Sequence, residues 1–156
     1  MALITPPYAE WIKTIARAGE SFNRAFFAAL GLGAGHADYI RTVCRNAGIT
    51  QEELAGHIGV YKSNVTRTLA QLEEAGYIER RPDPSDRRCI LVYPTDLAYE
   101  LLPAIVEAQG EWRSILTDGF SAEEKEQLAE LLERMEDNVR RHKLGEMDHD
   151  DPDMDY

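Results

Sequence analysis

Cysteine is nearly absent. Cys44 and Cys89 are the only two in 156 residues, too few for a disulfide framework, and they are not spaced as a C-x-x-C zinc knuckle or dithiol. Long hydrophobic runs are missing as well: no apolar stretch approaches the roughly eighteen residues that a bilayer-spanning helix needs. The opening MALITPPYAEWIK has no basic segment ahead of a long apolar one, which argues against a secretory leader. A cytoplasmic protein without membrane attachment is the expectation. There is no Gly-rich phosphate loop, no nucleophile elbow and no His-Glu zinc motif, so no enzyme class is suggested. His36, His57, His142 and His149 are scattered, no pair has zinc-site spacing, and neither metal nor cofactor is expected.

Positive charge is also scarce: 17 Lys and Arg stand against 28 Asp and Glu, a net of −11. The sum disfavours a nucleic-acid partner, but its distribution does not. From Asp118 to the end there are 14 acidic and 5 basic residues, whereas from Arg41 to Tyr93 there are 7 acidic and 8 basic. The central segment is free to carry a DNA-binding face.

Four zones follow, at 1–35, 36–94, 95–144 and 145–156. In the first, Ile12, Ile15, Gly19, Phe22, Phe26 and Leu30 recur at three- and four-residue steps, predicting one long amphipathic helix over Tyr8 to Leu30. Trp11 and Phe27 broaden its apolar side beyond the needs of one small domain, which suits helix association between chains. In the third, Thr95-Asp96 reads as a helix start, Pro103 as a bend within that helix, and Ser121-Ala122-Glu123-Glu124 as a capping box. The helix it opens carries Leu128, Leu131, Leu132, Met135 and Val139 on one face. The last zone, GEMDHDDPDMDY, has six acidic residues and no Lys or Arg, and reads as a disordered tail. It lacks the glycine and bidentate Glu of a calcium loop. Solubility is its plain role and competition with DNA phosphate for the basic face its sharper one.

The second zone carries the function. Ile40, Val43, Cys44 and Ala47 form a short apolar helix face that ends at Gly48. Thr50-Gln51-Glu52-Glu53 is a capping box opening a two-turn helix with Leu54 and Ile58 inward, and Gly59 stops it. A further helix begins near Lys62, with Val65, Leu69 and Leu72 inward, and Gly76 ends it. Helix, glycine turn, helix is the spacing of a helix-turn-helix. Lys62, Ser63, Asn64, Thr66 and Arg67 crowd the start of the second helix, where polar donors enter a major groove. Then Tyr77 to Arg81 and Arg88 to Tyr93 read as two strands of a hairpin whose tip is Pro82-Asp83-Pro84-Ser85-Asp86-Arg87. Arg80, Arg81, Arg87 and Arg88 bracket that tip, as a wing bringing Arg to the neighbouring backbone and minor groove requires.

The run ITQEELAGHIGVYKSNVTRTLAQLEEAGYIERRPDPSDRRCILVYPT resembles the MarR family of bacterial winged-helix regulators, most closely in TQEELA, KSNVTR, LEEAGYIER and DPSDRR. The resemblance extends to about Lys143. It implies a mainly α fold with a small β-hairpin, in which a winged helix-turn-helix is flanked by N- and C-terminal dimerisation helices. It implies a homodimer on an inverted-repeat DNA operator, read as a ligand-responsive repressor with activation left as the alternative, and in many members release of DNA when a small aromatic or phenolic effector binds between the dimer interface and the winged helix. Carried over by position, Ser63, Asn64, Thr66 and Arg67 would meet the major groove. Asp86 with Arg87 would set the wing tip in the minor groove, and Arg88 would hold phosphate or the wing itself. Tyr61, where a small capping residue is usual, and Ala98, where glycine is common, depart from the pattern.

Trp11, Phe22, Phe26, His36 and Tyr39 are the candidate effector-pocket residues, although such a stripe also suits core and dimer contacts. Cys44, on an apolar helix face, and Cys89, in the second strand, are expected to be structural, with no depressed thiol pKa. The competing reading is a winged helix that docks on another protein and has no DNA target. The polar helix start and arginine-tipped hairpin weigh against it, because apolar anchors are more usual on such a surface.

Overall fold

The computed structural model describes residues 6–33, 35–60 and 62–142, so Tyr61 and the acidic tail lie outside the described residues. The chain divides into two compact units, Met1–Arg113 and Ser114–Tyr156. Helix α1 covers Tyr8–Phe27 and continues as one 3-10 turn, Ala28–Leu30, close to the span that the periodicity predicts. Helix α2 covers His36–Arg45 and stops before Ala47, which stands exposed beyond the helix rather than on its apolar face.

Strand β1, Ile49–Thr50, leads into α3, Gln51–Ile58, and α4, Lys62–Glu74, follows. Strands β2, Ile78–Pro82, and β3, Ile90–Pro94, then form the hairpin. The sheet is antiparallel in the order β1-β3-β2, with Ile49 opposite Val92 and Arg80 opposite Val92 from the other side. The two-residue β1 is not evident in the sequence, being too short for a periodicity. It exists because β3 offers it a free edge.

One core holds the first unit together. Tyr39, Ile40 and Val43 of α2 meet Leu54 of α3, Val65, Leu69 and Leu72 of α4, Ile78 of β2 and Val92 of β3, all buried. A fully buried Leu or Ile of this kind contributes about 1.5–3 kcal/mol relative to an exposed one. The core therefore fixes α4 and the base of the hairpin against the same apolar cluster. Gly48 makes a tight passage into β1 at φ 84, and a Cβ there would lie 3.2 Å from the Tyr93 hydroxyl.

Helix α5, Asp96–Leu116, contains Pro103 and buries Ala98, Ile105 and Ala108. Ala98, where the resemblance expects glycine, is fully buried, and its N–H is 3.4 Å from the Thr95 hydroxyl. Thr95 also donates to the Gly76 carbonyl at 2.7 Å, joining the start of α5 to the end of α4. Gly19 of α1 lets the Trp112 indole of α5 approach closely, since a Cβ would stand 3.2 Å from the ring. The boundary between the compact units falls within α5 rather than in a loop.

In the second unit, helix α6 covers Ala122–Arg141 and begins with the expected capping box between Ser121 and Glu124. It buries no residue, and Leu131, Leu132, Met135 and Val139 are each 40–54% exposed. Among the described residues, no helix is long and apolar enough to cross a membrane.

Candidate nucleic-acid interface

The start of α3 fixes the geometry of the two-helix element. Thr50 accepts from the Glu53 N–H at 3.1 Å, and the Glu53 carboxylate accepts from the Thr50 N–H at 3.0 Å. The Thr50 N–H, and then the Thr50 hydroxyl at 2.9 Å, donate to the Glu53 carboxylate and hold it below the usual carboxylate range. Gly59 ends α3 in the left-handed conformation at φ 74, with its N–H on the Ala55 carbonyl at 2.9 Å. Helix α4 begins at Lys62.

Because Val65, Leu69 and Leu72 face inward, Ser63, Asn64, Thr66 and Arg67 face outward, and all four are exposed. Lys62 opens the helix, but its side chain lies outside what the structure describes. Gln51, the first residue of α3, donates to the Thr66 hydroxyl at 3.3 Å. That link between the two helices has no signature in the sequence, because it joins residues fifteen apart across a turn.

The hairpin tip is shaped by its own aspartates. Asp83 accepts from the Ser85 N–H at 2.8 Å and from its hydroxyl at 2.7 Å. Asp86 accepts from the Arg88 N–H at 3.0 Å through its side chain and from the Cys89 N–H at 2.9 Å through its carbonyl. Asp86 thus shapes the turn that presents Arg87 and Arg88, both exposed.

The four arginines divide into two pairs. Arg80 turns inward to Glu73, and Arg81 pairs with Glu79 while its guanidinium lies 4.9 Å from the centre of the Tyr93 ring. Only Arg87 and Arg88 of the four are left at the tip to meet a ligand. Thr66 of α4 and Arg88 of the hairpin line one open cleft of about 350 Å³, together with Thr50, Gln51, Glu52 and Cys89. The helix and the wing therefore border a shared surface.

Cys89 precedes β3 in the turn and is half-buried, not part of the strand as its sequence context suggests. Its thiol lies 3.8 Å from an Asp86 carboxylate oxygen. Burial, then the neighbouring carboxylates, push that thiol up, and burial alone does the same to half-buried Cys44. Neither sulfur has the electropositive setting that activates a thiolate. Among the described residues, no three His, Cys, Asp or Glu side chains are grouped to hold a metal ion.

The five candidate effector-pocket residues occupy separate places. Trp11 is 53% exposed and meets Tyr8 edge-on. Phe22 lies against Trp112 with ring centres 5.5 Å apart, and Phe26 meets Phe27 at 4.8 Å. Tyr39 is in the core, where burial raises its phenol pKa and a hydrogen bond with Thr68 opposes the rise. His36 accepts at Nδ1 from the Gly33 N–H at 3.1 Å, so Nε2 carries the proton and donates to Gln71 at 3.2 Å. It lines a cavity of about 520 Å³ with Gly31, Leu32, Gly33, Gln71 and Glu74, which the other four do not line.

A polar group at the α2–α5 contact escaped the sequence reading. Arg41 donates to Gln109 at 2.8 Å and to Asp38 at 3.2 Å, and Gln109 donates to Asp38 at 3.0 Å. Its members are 68 and 71 residues apart across the contact, and no local pattern announces such a pairing. Asn23 Oδ1 and Arg41 Nε are buried without a hydrogen-bond partner.

Comparison with known proteins places this geometry among relatives. The model of the MarR family matches residues 35–90. An uncharacterized HTH-type transcriptional regulator of Bacillus subtilis (strain 168), YybA, is 33% identical over 131 residues, which is 83% of this chain and 87% of that one. The crystal structure of the transcriptional regulator SlyA is 34% identical with a TM-score of 0.84, covering 87% of this chain and 96% of that one. A MarR family transcriptional regulator from Listeria monocytogenes, complexed with 26mer DNA, is 25% identical with a TM-score of 0.86, over 95% of this chain and 97% of that one.

Proposed function

This chain belongs to the MarR family of transcriptional regulators, and we propose that it binds a specific double-stranded DNA operator as a homodimer in the cytoplasm and represses transcription there. The observation that carries the reading is the cleft shared by Thr66 and Arg88. It sets the exposed start of α4 beside the arginine-tipped hairpin. Ser63, Asn64, Thr66 and Arg67 read base edges in the major groove, Arg87 enters the adjacent minor groove, and Arg88 holds phosphate. The Listeria relative solved with DNA supports the partner class.

The homodimer is supported by apolar surface that one copy leaves exposed: Trp11, Ile12 and Ile15 on α1 and the Leu131–Val139 stripe on α6. Apolar helix faces left exposed in this way mark association surfaces. The segments 1–35 and 95–144 serve as dimerisation arms and 36–94 as the DNA-binding domain. Two recognition helices related by a two-fold axis match an inverted repeat with half-sites about 10 bp apart.

Selection from a random duplex library tests the proposal, with enrichment of such a palindrome as the expected result. Enrichment of no palindrome overturns it in favour of a protein-docking winged helix.

Effector control is the finer part of the proposal. Asn23 Oδ1 and Arg41 Nε, buried without partners, lie on α1 and α2, the helices that also carry Phe22 and Tyr39. A small phenolic or aromatic acid carries the hydroxyl donor that Asn23 Oδ1 lacks and the carboxylate acceptor that Arg41 Nε lacks. Such a ligand changes DNA affinity only by preferring one arrangement of the recognition helices. Thermal shift with a panel of phenolic acids, repeated with operator present, is the check. No ligand-dependent change in DNA affinity removes this part and leaves a constitutive binder.

A further inference from the structure

An ion pair joins the last turn of α4 to the base of the wing. Glu73 stands in the last turn of α4, which has no basic residue, so its carboxylate faces the negative end of the helix dipole. Compensation comes from across the Gly76 turn. Glu73 Oε2 accepts from Arg80 Nε at 2.8 Å and Nη2 at 2.6 Å, while Oε1 accepts from the Arg80 N–H at 3.0 Å. The Arg80 side chain is 27% exposed, and β2, which carries it, is an edge strand of the sheet. One carboxylate thus grips both the side chain and the backbone of that strand. Two guanidinium donors converge on one oxygen while the backbone N–H holds the other, and such charge-assisted bonds restrict geometry as well as adding energy.

We infer that Glu73 is a positioning residue for DNA reading: by holding Arg80 it sets the angle between α4 and the wing, so that Arg67 and Arg87 meet adjacent grooves in register. The reach of the hairpin makes that angle matter. From Arg80 the strand runs to Pro82, about 7 Å at roughly 3.3 Å per residue, and the turn 83–89 carries the tip beyond it. A tilt of about 10° at the base moves the end of the strand by about 1 Å and the tip beyond it by more, against a minor groove about 6 Å wide. Arg81 does not supply the grip, because its contacts with Glu79 and Tyr93 lie within the hairpin itself. Core burial of Ile78 and the bond from the Tyr77 N–H to the Leu72 carbonyl at 2.9 Å anchor the base of β2, and the ion pair adds a second, directional hold two residues further along the strand.

This inference rests on the DNA-binding reading, and random-duplex selection with wild type, Glu73→Gln, Arg80→Lys and Arg87→Ala separates the two. Glu73→Gln is expected to keep the half-site sequence while its A·T preference at the flanks falls to that of Arg87→Ala. Arg80→Lys, which keeps charge but loses the fork, is expected to do the same, and adding Arg87→Ala to Glu73→Gln to bring no further flank loss. Simple loss of fold lowers the active fraction without changing sequence preference, and melting curves monitor it. If Glu73→Gln does not melt cooperatively, Arg80→Lys carries the comparison. A wild-type palindrome with unchanged flank preference in the folded variants overturns the role of Glu73 alone. A proportional loss of half-site and flank preference also overturns it. A wild type that enriches no palindrome overturns the function reading, and this inference with it.

Discussion

Arg67 and Arg88 are both exposed and cationic, yet the structure gives them different settings, on the first turns of α4 and at the wing tip. Arg67→Ala is expected to cost about 1–3 kcal/mol of binding and to relax base preference within the half-site. Arg88→Ala is expected to weaken all sequences alike and to lower the salt slope by about one. Titrations at several salt concentrations on matched and mismatched duplexes distinguish the two, and identical signatures contradict the assignment. His36 bears on stability instead. Burial holds its imidazole below the usual value, with the Gln71 bond opposing, and the Gly33 N–H is aimed at the nitrogen that a second proton would occupy. Its folded pKa is depressed, so its contribution is full above about pH 6.5 and is lost as pH falls through the folded value. Urea midpoints at about pH 7.5 and pH 5.5 are expected to differ less in His36→Gln than in wild type. An equal difference in both removes His36 as the source.

At the scale of elements, capping and glycine stops made much of the two-helix unit legible. The Thr50 capping box, the Gly59 stop and the inward Val65, Leu69 and Leu72 stand where the spacing places them. These are local signals, each spanning four residues or a helical turn. Thr50→Ala is accordingly expected to cost about 1 kcal/mol in chemical unfolding. Gly48→Ala is expected to cost more, about 1–3 kcal/mol, since it combines a positive φ with crowding against Tyr93. The opposite order contradicts the packing described at β1. What the sequence concealed is pairing at a distance. Gln51 with Thr66, Arg41 with Gln109 and Glu73 with Arg80 are set by tertiary placement rather than by spacing. The four arginines looked equivalent for the same reason, because charge is visible in a sequence and its partner across a turn is not. Cys89, assigned to a strand by its β-favouring neighbours, lies in the turn because Asp86 bends the chain there.

For the whole molecule, net charge was the misleading quantity and its distribution the useful one. A balance of −11 coexists with a central segment of 8 basic and 7 acidic residues, and Arg80 and Arg81 spend their charge on internal carboxylates. The basic face is correspondingly small, and the proposed homodimer would double it. Sedimentation at micromolar concentration is expected to show two chains, with more than about 2,000 Å² buried between them. Ile15→Glu, on the exposed face of α1, is expected to shift the mass toward one chain. A monomeric wild type leaves the two-fold DNA geometry without a basis.

The most direct test of the central claim is a binding titration followed by sedimentation, on a selected palindromic duplex and on the same duplex with one half-site scrambled. Two chains per intact duplex are predicted, with affinity about 1,000-fold or more above that for non-specific DNA of equal length. Scrambling one half-site is predicted to remove most of that margin. Equal affinity for the intact, half-scrambled and non-specific duplexes contradicts the account.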